Sequence, residues 1–300
     1  MGLAAGMDGG AHRIAVDGHR MGGAPAMTRT DTQATAGAIT LHDIAAGYDR
    51  APVWQHVTGT FAPGSLTAIA GANGAGKSTL VRAMLGEIPL RAGRIDYGGQ
   101  QPRDFGYLPQ ARDIDRGFPL CVADLVLSGA WRATGAFGAV NARHRERAEQ
   151  CLRHVRLSGM EERGIGDLSA GQFQRLLFAR LLMQDARVII LDEPFTALDA
   201  PTTRDLLHLV DHWRDEGRTV IAVLHDLRQI TRHFPNVVLL AQGAAHWGAT
   251  DAVLTPALLE RAYGGNAVFA CPMGDDSSAP DAGAARDTRP RDMMSGDLWA

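Results

Sequence analysis

Hydrophobic and polar positions alternate, run together or recur at helical spacing in different parts of this chain. Residues 38–62 alternate apolar and polar positions, which is typical of antiparallel strands. Three short and mostly apolar runs, at 65–70, 188–191 and 219–224, are typical of buried strands in a parallel sheet. Helical patterns separate these runs. The chain is therefore predicted to have an α/β fold in which helices cover a parallel sheet.

The helical patterns are concentrated in the middle of the chain, and the two ends show no periodicity. Apolar residues recur at helical spacing through most of 122–183 and again in 203–213. Residues 1–37 and 272–300 are low in complexity and are predicted to be disordered extensions. A start codon placed too far upstream would also explain the first of them. The folded domain is therefore predicted to span residues 38–271.

Composition narrows the class of protein without identifying it. The chain has 300 residues, 45% of them hydrophobic, and a net charge of −3, so nucleic acid is not expected as a partner. No apolar run reaches the roughly 18–20 residues of a membrane helix, and the N-terminal segment lacks a signal-peptide core, so a cytoplasmic protein is predicted. The scattered cysteines Cys121, Cys151 and Cys271 are interpreted as free thiols. Of the 30 lysine and arginine residues, only Lys77 is a lysine, which indicates that this position requires a compact ammonium group.

A glycine-rich segment follows the first predicted parallel strand. Its sequence at 71–78, Gly-Ala-Asn-Gly-Ala-Gly-Lys-Ser, fits the P-loop pattern GxxxxGK[ST], and a helical pattern follows it. In such a loop the backbone N–H groups surround a phosphate chain, the lysine contacts the β- and γ-phosphates, and the serine hydroxyl binds Mg²⁺. A chance match is the alternative, but it would rarely fall between a strand and a helix. The residues predicted to bind the nucleotide here are Gly71, Asn73, Gly74, Gly76, Lys77, Ser78 and Thr79.

Two acidic residues end the second predicted parallel strand. Asp192 and Glu193 directly follow the apolar run at 188–191. Asp192 is predicted to hold Mg²⁺ through water, and Glu193 is predicted to polarise the attacking water as the general base. Two acids after a strand could simply begin a loop. The P-loop upstream makes the catalytic interpretation the stronger one.

The segment Leu-Ser-Ala-Gly-Gln at 168–172 precedes an apolar helix, for which Ser169 would be a good N-cap. The same segment, followed by the acidic strand and Leu-Asp, resembles the signature of ABC-transporter ATPases, although Ala170 stands where the family usually has glycine. The resemblance implies that ATP is bound between the P-loop of one chain and the signature of a second chain, in a head-to-tail homodimer. It adds Ser169, Gly171 and Gln172 to the residues predicted to bind ATP.

The rest of the family pattern falls in order along residues 38–264. By this resemblance Tyr48 stacks on adenine, although a tyrosine in a turn is the alternative interpretation. Gln110 matches the Q-loop glutamine, which ligates Mg²⁺ and senses the permease. Asp199 belongs to the D-loop, which crosses the dimer interface. His225, at the end of a buried strand, matches the switch histidine that contacts the γ-phosphate, and with Glu193 and Gln110 it completes the predicted catalytic residues.

The resemblance also implies an architecture and a role in transport. The family fold is a P-loop NTPase with a RecA-like core, an antiparallel β subdomain and a helical signature subdomain, here near residues 112–182. Within the family, Phe118-Pro119-Leu120, Phe195 and Trp247-Gly248 resemble the importers of zinc, manganese and iron ions. A haem or ferric-siderophore importer is the first alternative, and a non-transport ABC protein is the second. The implied partners are an integral membrane permease, at the cytoplasmic face of the inner membrane, and indirectly an extracytoplasmic metal-binding protein.

Overall fold

The strands of this protein form two sheets, one antiparallel and one mostly parallel. The structure is a computed structural model that describes residues 37–47, 52–135 and 139–264. The strands are β1 (Ile39–Ala46), β2 (Trp54–Phe61), β3 (Leu66–Gly71), β4 (Ala92–Asp96), β5 (Gly106–Leu108), β6 (Val188–Asp192), β7 (Thr219–Val223), β8 (Asn236–Ala241) and β9 (Ala244–Ala249). The smaller sheet has the order β2-β1-β4, and the larger has the order β5-β6-β7-β3-β8-β9. Neighbours in the larger sheet are parallel except β8 and β9.

The helices cover the larger sheet, and some of them also pack on one another. They are α1 (Lys77–Met84), α2 (Val122–Leu127), α3 (Trp131–Thr134), α4 (Ala142–His154), α5 (Ala170–Gln184), α6 (Ala200–Asp215), α7 (Leu227–His233), α8 (Thr250–Val253) and α9 (Pro256–Tyr263). Short 3₁₀ turns lie at Pro102–Asp104, Ala111–Asp113, Ser128–Ala130 and Ile165–Asp167. Helices α2 and α4 both pack against α5. These three helices lie in the part of the chain where the sequence predicts a helical subdomain.

The central parallel strands are completely buried, because apolar side chains cover both faces of the sheet. Every residue of β3, β6 and β7 is buried. Alternate residues point to opposite faces, so Ala68 and Leu191 join a core that includes α5, whereas Ile69 and Ile190 join a core shared with the antiparallel sheet and α1. The predicted α/β fold with a parallel sheet is confirmed. Since β3, β6 and β7 run in one direction, their carboxyl ends meet at one edge.

The predicted strands do not include β4, β5, β8 or β9. Strands β4 and β9 are largely exposed or half-buried, whereas β5 and β8 are mostly buried. Strand β9 nevertheless joins the two sheets. Its Trp247 ring lies edge-to-face on Phe61, with ring centroids 4.9 Å apart. A Cβ atom added to Gly59 would lie 2.2 Å from the Trp247 ring, so glycine is required at that position for the close approach.

Several predictions concern residues outside the described part of the chain. These are the two extensions at 1–37 and 272–300, apart from Gly37, and the end of the folded domain at residue 271. Tyr48 and Cys271 also lie outside it. Within residues 37–47, 52–135 and 139–264, no helix has the length and apolar character that crossing a membrane requires. In the same ranges no group of three or more His, Cys, Asp or Glu side chains is arranged to hold a metal ion.

Candidate active site

The glycine-rich segment forms a tight loop between the end of β3 and the start of α1. Three of its glycines have positive φ angles, 149° at Gly71, 82° at Gly74 and 92° at Gly76. A Cβ atom at Gly71 would lie 2.6 Å from the Leu240 carbonyl oxygen, and one at Gly76 would lie 2.6 Å from the Trp54 ring. The loop therefore needs glycine at these two positions for both its backbone conformation and its packing.

The Lys77 side chain lies inside this loop. Its Nζ donates hydrogen bonds to the carbonyl oxygens of Gly71 at 2.8 Å and Ala72 at 2.9 Å, and the residue is 6% exposed. Burial lowers the pKa of the Lys77 ammonium group, whereas the negative charges of Glu193 and Asp192 act to raise it. The loop thus holds a cation at the carboxyl edge of the sheet, with the two acidic residues close enough to affect it.

Four predicted site residues contact one another at this edge. His225 Nε2 and Glu193 Oε1 are 2.6 Å apart. Gln110 Nε2 donates to Asp192 Oδ1 at 3.2 Å and to Glu193 Oε1 at 3.1 Å. Glu193 has a φ of 50°, a left-handed conformation that is strained for a residue other than glycine. Such strain is common at functional sites, and the Glu193 side chain contacts both Gln110 and His225.

Asp192 is the most enclosed acid of the group, at 4% exposed. Its burial raises the pKa of the carboxyl, and the nearby charges of Glu193 and Asp113 raise it further, while the hydrogen bond from Gln110 and the charge of His225 lower it. The amide oxygen of Gln110 is also buried and accepts no hydrogen bond from a described residue. A buried carboxylate beside an unpaired buried amide oxygen fits the oxygen ligands that Mg²⁺ prefers.

The signature segment at 168–172 forms the start of α5. Ser169 caps the helix, because its Oγ accepts a hydrogen bond from the Gln172 N–H at 3.2 Å while Gln172 Oε1 accepts one from the Ser169 N–H at 3.0 Å. The Ser169 side chain is exposed. Arg116 contacts this segment. It donates a hydrogen bond to the Leu168 carbonyl, and its guanidinium carbon lies 4.8 Å from the centroid of the Phe173 ring. Among the described residues no hydrogen bond joins Ser169, Gly171 or Gln172 to the P-loop.

Asp199 lies at the start of α6 and caps this helix. Its carboxylate accepts a hydrogen bond from the Thr202 N–H at 2.8 Å and so caps α6. Hydrogen bonds from Thr202 lower the pKa of this exposed carboxyl. In the structure Asp199 is therefore a helix cap, and the role predicted for it at a dimer interface remains a prediction.

Three residues that no motif identifies also contact the site. Trp54 Nε1 donates to the Gly76 carbonyl at 3.2 Å. The Tyr263 hydroxyl accepts a hydrogen bond from the Gly71 N–H at 3.1 Å. Gln174 Nε2 donates to the Pro194 carbonyl at 2.7 Å, directly after Glu193. All three contacts join residues that are distant along the chain, so the spacing of motif residues carries no signal for them.

Comparison with known proteins places this chain among transport ATPases. The family described as ABC transporter matches residues 54–196. The zinc transport system ATP-binding protein TroB of Treponema pallidum is 35% identical over 78% of this chain and 90% of that protein. The manganese transport system ATP-binding protein MntB of Listeria monocytogenes is 33% identical over 75% of this chain and 95% of that protein. An inward-facing structure of an ABC transporter assigned to the metal-chelate type is similar with a TM-score of 0.68 and 27% identity, over 75% of this chain and 88% of that chain.

Proposed function

Because this chain belongs to the ATP-binding proteins of ABC transporters, we propose that it hydrolyses ATP to drive the import of a divalent metal ion, zinc or manganese. The motif resemblance to this group of ATPases is confirmed by the relatives. The observation that carries the proposal is the contact set of Gln110, Asp192, Glu193 and His225 beside the P-loop. The metal ion is proposed because the relatives are named for zinc and manganese transport.

The P-loop supplies the groups that bind the phosphates of ATP. The backbone N–H groups at the start of α1 point out of the helix, and the helix dipole favours an anion at that end. Lys77 adds a positive charge at the same place. Two of its three donors meet the carbonyls of Gly71 and Ala72, so the ammonium is oriented before a nucleotide arrives.

Three residues fit the Mg²⁺ that accompanies ATP. They are Ser78, whose exposed side chain lies in the first turn of α1, Asp192 and Gln110. When bound, the ion neutralises negative charge on the phosphates. The unpaired amide oxygen of Gln110 supports this assignment, because the hydrogen bonds of this side chain to described residues are all made by the amide nitrogen.

Glu193 is proposed as the base that polarises the attacking water. Its carboxylate lies between the Gln110 amide and the His225 ring, which fix its direction. The short contact between His225 Nε2 and Glu193 Oε1 holds the imidazole where it can also meet the γ-phosphate. Catalysis of this kind depends on positioning and charge, since the protein forms no covalent bond to the phosphate.

The proposed working unit is a head-to-tail homodimer with a membrane permease. The exposed start of α5 makes no hydrogen bond to its own P-loop among the described residues, and a second chain would bring its Ser169, Gly171 and Gln172 to the bound ATP. Relatives named as parts of transport systems support a permease partner. We place the protein at the cytoplasmic face of the cell membrane, with an extracytoplasmic metal-binding protein reached through the permease.

Import of a chelated metal is a second candidate function, because one similar solved structure belongs to a transporter assigned to the metal-chelate type. Uptake of radioactive zinc, manganese and haem by intact cells separates the two. A strain that lacks the gene should lose uptake of zinc or manganese, and the wild-type gene should restore it. Loss of haem uptake alone would move the proposal to the chelate class.

Glu193→Gln tests the catalytic part of the proposal in the same strain and with purified protein. The amide keeps the size of the side chain but not its basicity, so hydrolysis should fall by about 100-fold or more while ATP still binds. Glu149→Gln, on the exposed face of α4, is the matched control and should behave as wild type. Near-normal hydrolysis or metal uptake by Glu193→Gln would contradict the assignment of the base.

A further inference from the structure

The last helix of the described chain ends beside the phosphate-binding loop. Tyr263 is the final residue of α9, and its hydroxyl accepts a hydrogen bond at 3.1 Å from the N–H of Gly71, 192 positions away. We propose that Tyr263 is a positioning residue for the P-loop and that its hydroxyl raises the affinity of the protein for MgATP. This inference rests on the proposed ATPase activity.

Gly71 is both the last residue of β3 and the first residue of the P-loop. Its N–H is held by Tyr263, and its carbonyl accepts the Lys77 ammonium at 2.8 Å. The backbone at Gly71 has a φ of 149°, and the Leu240 carbonyl leaves no room for a Cβ atom. Because both sides of this residue are held, the direction of the Gly71 carbonyl depends on the Tyr263 hydroxyl as well as on Lys77.

Helix α9 brings the hydroxyl to the loop on a rigid element. The helix is capped by Thr255, whose hydroxyl accepts from the Leu258 N–H at 3.4 Å, and it has Pro256 in its first turn. Leu259 is buried, and Leu258 packs against the core. Burial also raises the pKa of the Tyr263 hydroxyl, so it stays neutral near pH 7. A side chain held in this way limits the movement of its partner.

Loss of the hydroxyl would leave the buried Gly71 N–H without a partner. The Gly71 peptide would then turn to find another partner, and the carbonyl that holds Lys77 would move with it. Only a fraction of molecules would keep the binding-competent loop, and the apparent affinity for ATP falls by that fraction. Bound phosphates rebuild the loop, so the effect should appear in Kd and KM and not in kcat.

The test compares Tyr263→Phe with wild type in the full chain. We expect the Kd for MgATP, measured by calorimetry, and the KM to rise roughly fivefold to tenfold, with kcat within about twofold. Tyr97→Phe is the matched control, because Tyr97 is also half-buried and its hydroxyl makes no hydrogen bond to a described residue while its ring packs on Phe105. Tyr263→Leu, which keeps apolar packing without the hydroxyl, should show the same loss as Tyr263→Phe.

The outcomes separate this inference from the proposed function. The positioning role would be overturned if the Tyr263→Phe variant bound MgATP as tightly as wild type, whatever the melting temperature of the variant. A loss confined to kcat would overturn it as well. Failure of the wild-type protein to bind MgATP would contradict the proposed function itself. Weaker binding by both Tyr263 variants, with a wild-type Kd for Tyr97→Phe, supports the inference.

Discussion

Lys77 shows how a single residue can be matched to its surroundings. It is the only lysine of the chain, and its ammonium is enclosed by the loop that it serves. A compact ammonium donates in three directions, whereas a guanidinium is planar and larger. The two carbonyls of Gly71 and Ala72 lie less than 3 Å from Nζ, so the space is shaped for the smaller group.

Lys77→Arg is therefore expected to lose ATP hydrolysis although it keeps the charge. Because Lys77 is the only lysine, it is the only side chain that an amine-selective reagent can modify, and its modification is expected to abolish activity. MgATP should protect both the amine and the activity, because the phosphates cover the ammonium. Mass spectrometry after labelling, with and without nucleotide, measures this. An active Lys77→Arg enzyme would mean that the single lysine is an accident of composition.

The motifs identify residues that lie in short continuous segments of the sequence. They miss residues that reach the site only because the chain is folded. Lys77 and Glu193 could be predicted because the loop and strand that carry them are continuous in sequence. Trp54 and Tyr263 contact the P-loop from 22 and 192 positions away, and neither belongs to a pattern. The roles of the motif residues stay predictions, but the structure brings Gln110, Asp192, Glu193 and His225 together as the resemblance implies.

Among the elements, three buried strands, β3, β6 and β7, are predicted well by the sequence, whereas the buried strand β8 is not among the predicted strands. Strands β3, β6 and β7 are continuous apolar runs because both their faces are covered. Strands β4 and β9 carry exposed positions, so their composition resembles that of loops. Helix α5 is different again: its apolar residues lie on most of its circumference, and its buried polar residue Gln174 reaches the loop after Glu193.

Gln174 links α5 to the loop that follows the proposed base Glu193. Gln174→Leu keeps the volume but leaves the buried Pro194 carbonyl unpaired, which should lower the free energy of unfolding by about 1–3 kcal/mol. We also expect slower ATP hydrolysis at temperatures where the variant is fully folded, because the Pro194 peptide positions Glu193. Denaturant unfolding and steady-state hydrolysis measure the two effects.

Gln184→Leu on the same helix is the matched control, since the Gln184 side chain makes no hydrogen bond to a described residue. It should be nearly neutral in both measurements. Equal stability of Gln174→Leu and Gln184→Leu would show that the hydrogen bond to Pro194 contributes little.

For the whole molecule, the proposed dimer divides each ATP site between two chains. Lys77 and Glu193 belong to the sheet edge of one chain, and Ser169 is exposed at the start of α5. In a head-to-tail pair, each site would use the P-loop of one chain and the signature of the other. A substitution that inactivates the P-loop side of the site and one that inactivates the signature side can then be carried by different chains.

Lys77→Ala and Ser169→Arg should each be inactive alone, and mixing them should restore activity. A mixed dimer has one site with both defects and one intact site, so random pairing gives about a quarter of wild-type hydrolysis. Mixing Lys77→Ala with Glu193→Gln is the control, because both defects lie on the P-loop side and every site stays damaged. Hydrolysis by equal mixtures decides the matter, and the absence of any rise in the first mixture would argue against shared sites.

The order of strands in the larger sheet has a consequence for how the protein is made. Strand β3 pairs with β7 and β8, and the Gly64 N–H donates to the Thr219 hydroxyl across 155 positions. At ribosomal rates this interval lasts on the order of ten to thirty seconds. The antiparallel sheet of β1, β2 and β4 can form early, but β3 lacks both of its neighbouring strands, β7 and β8, until synthesis is nearly complete. Nucleotide can therefore assist only the last stage of folding, and a ribosome stalled before β7 would present an apolar strand to chaperones.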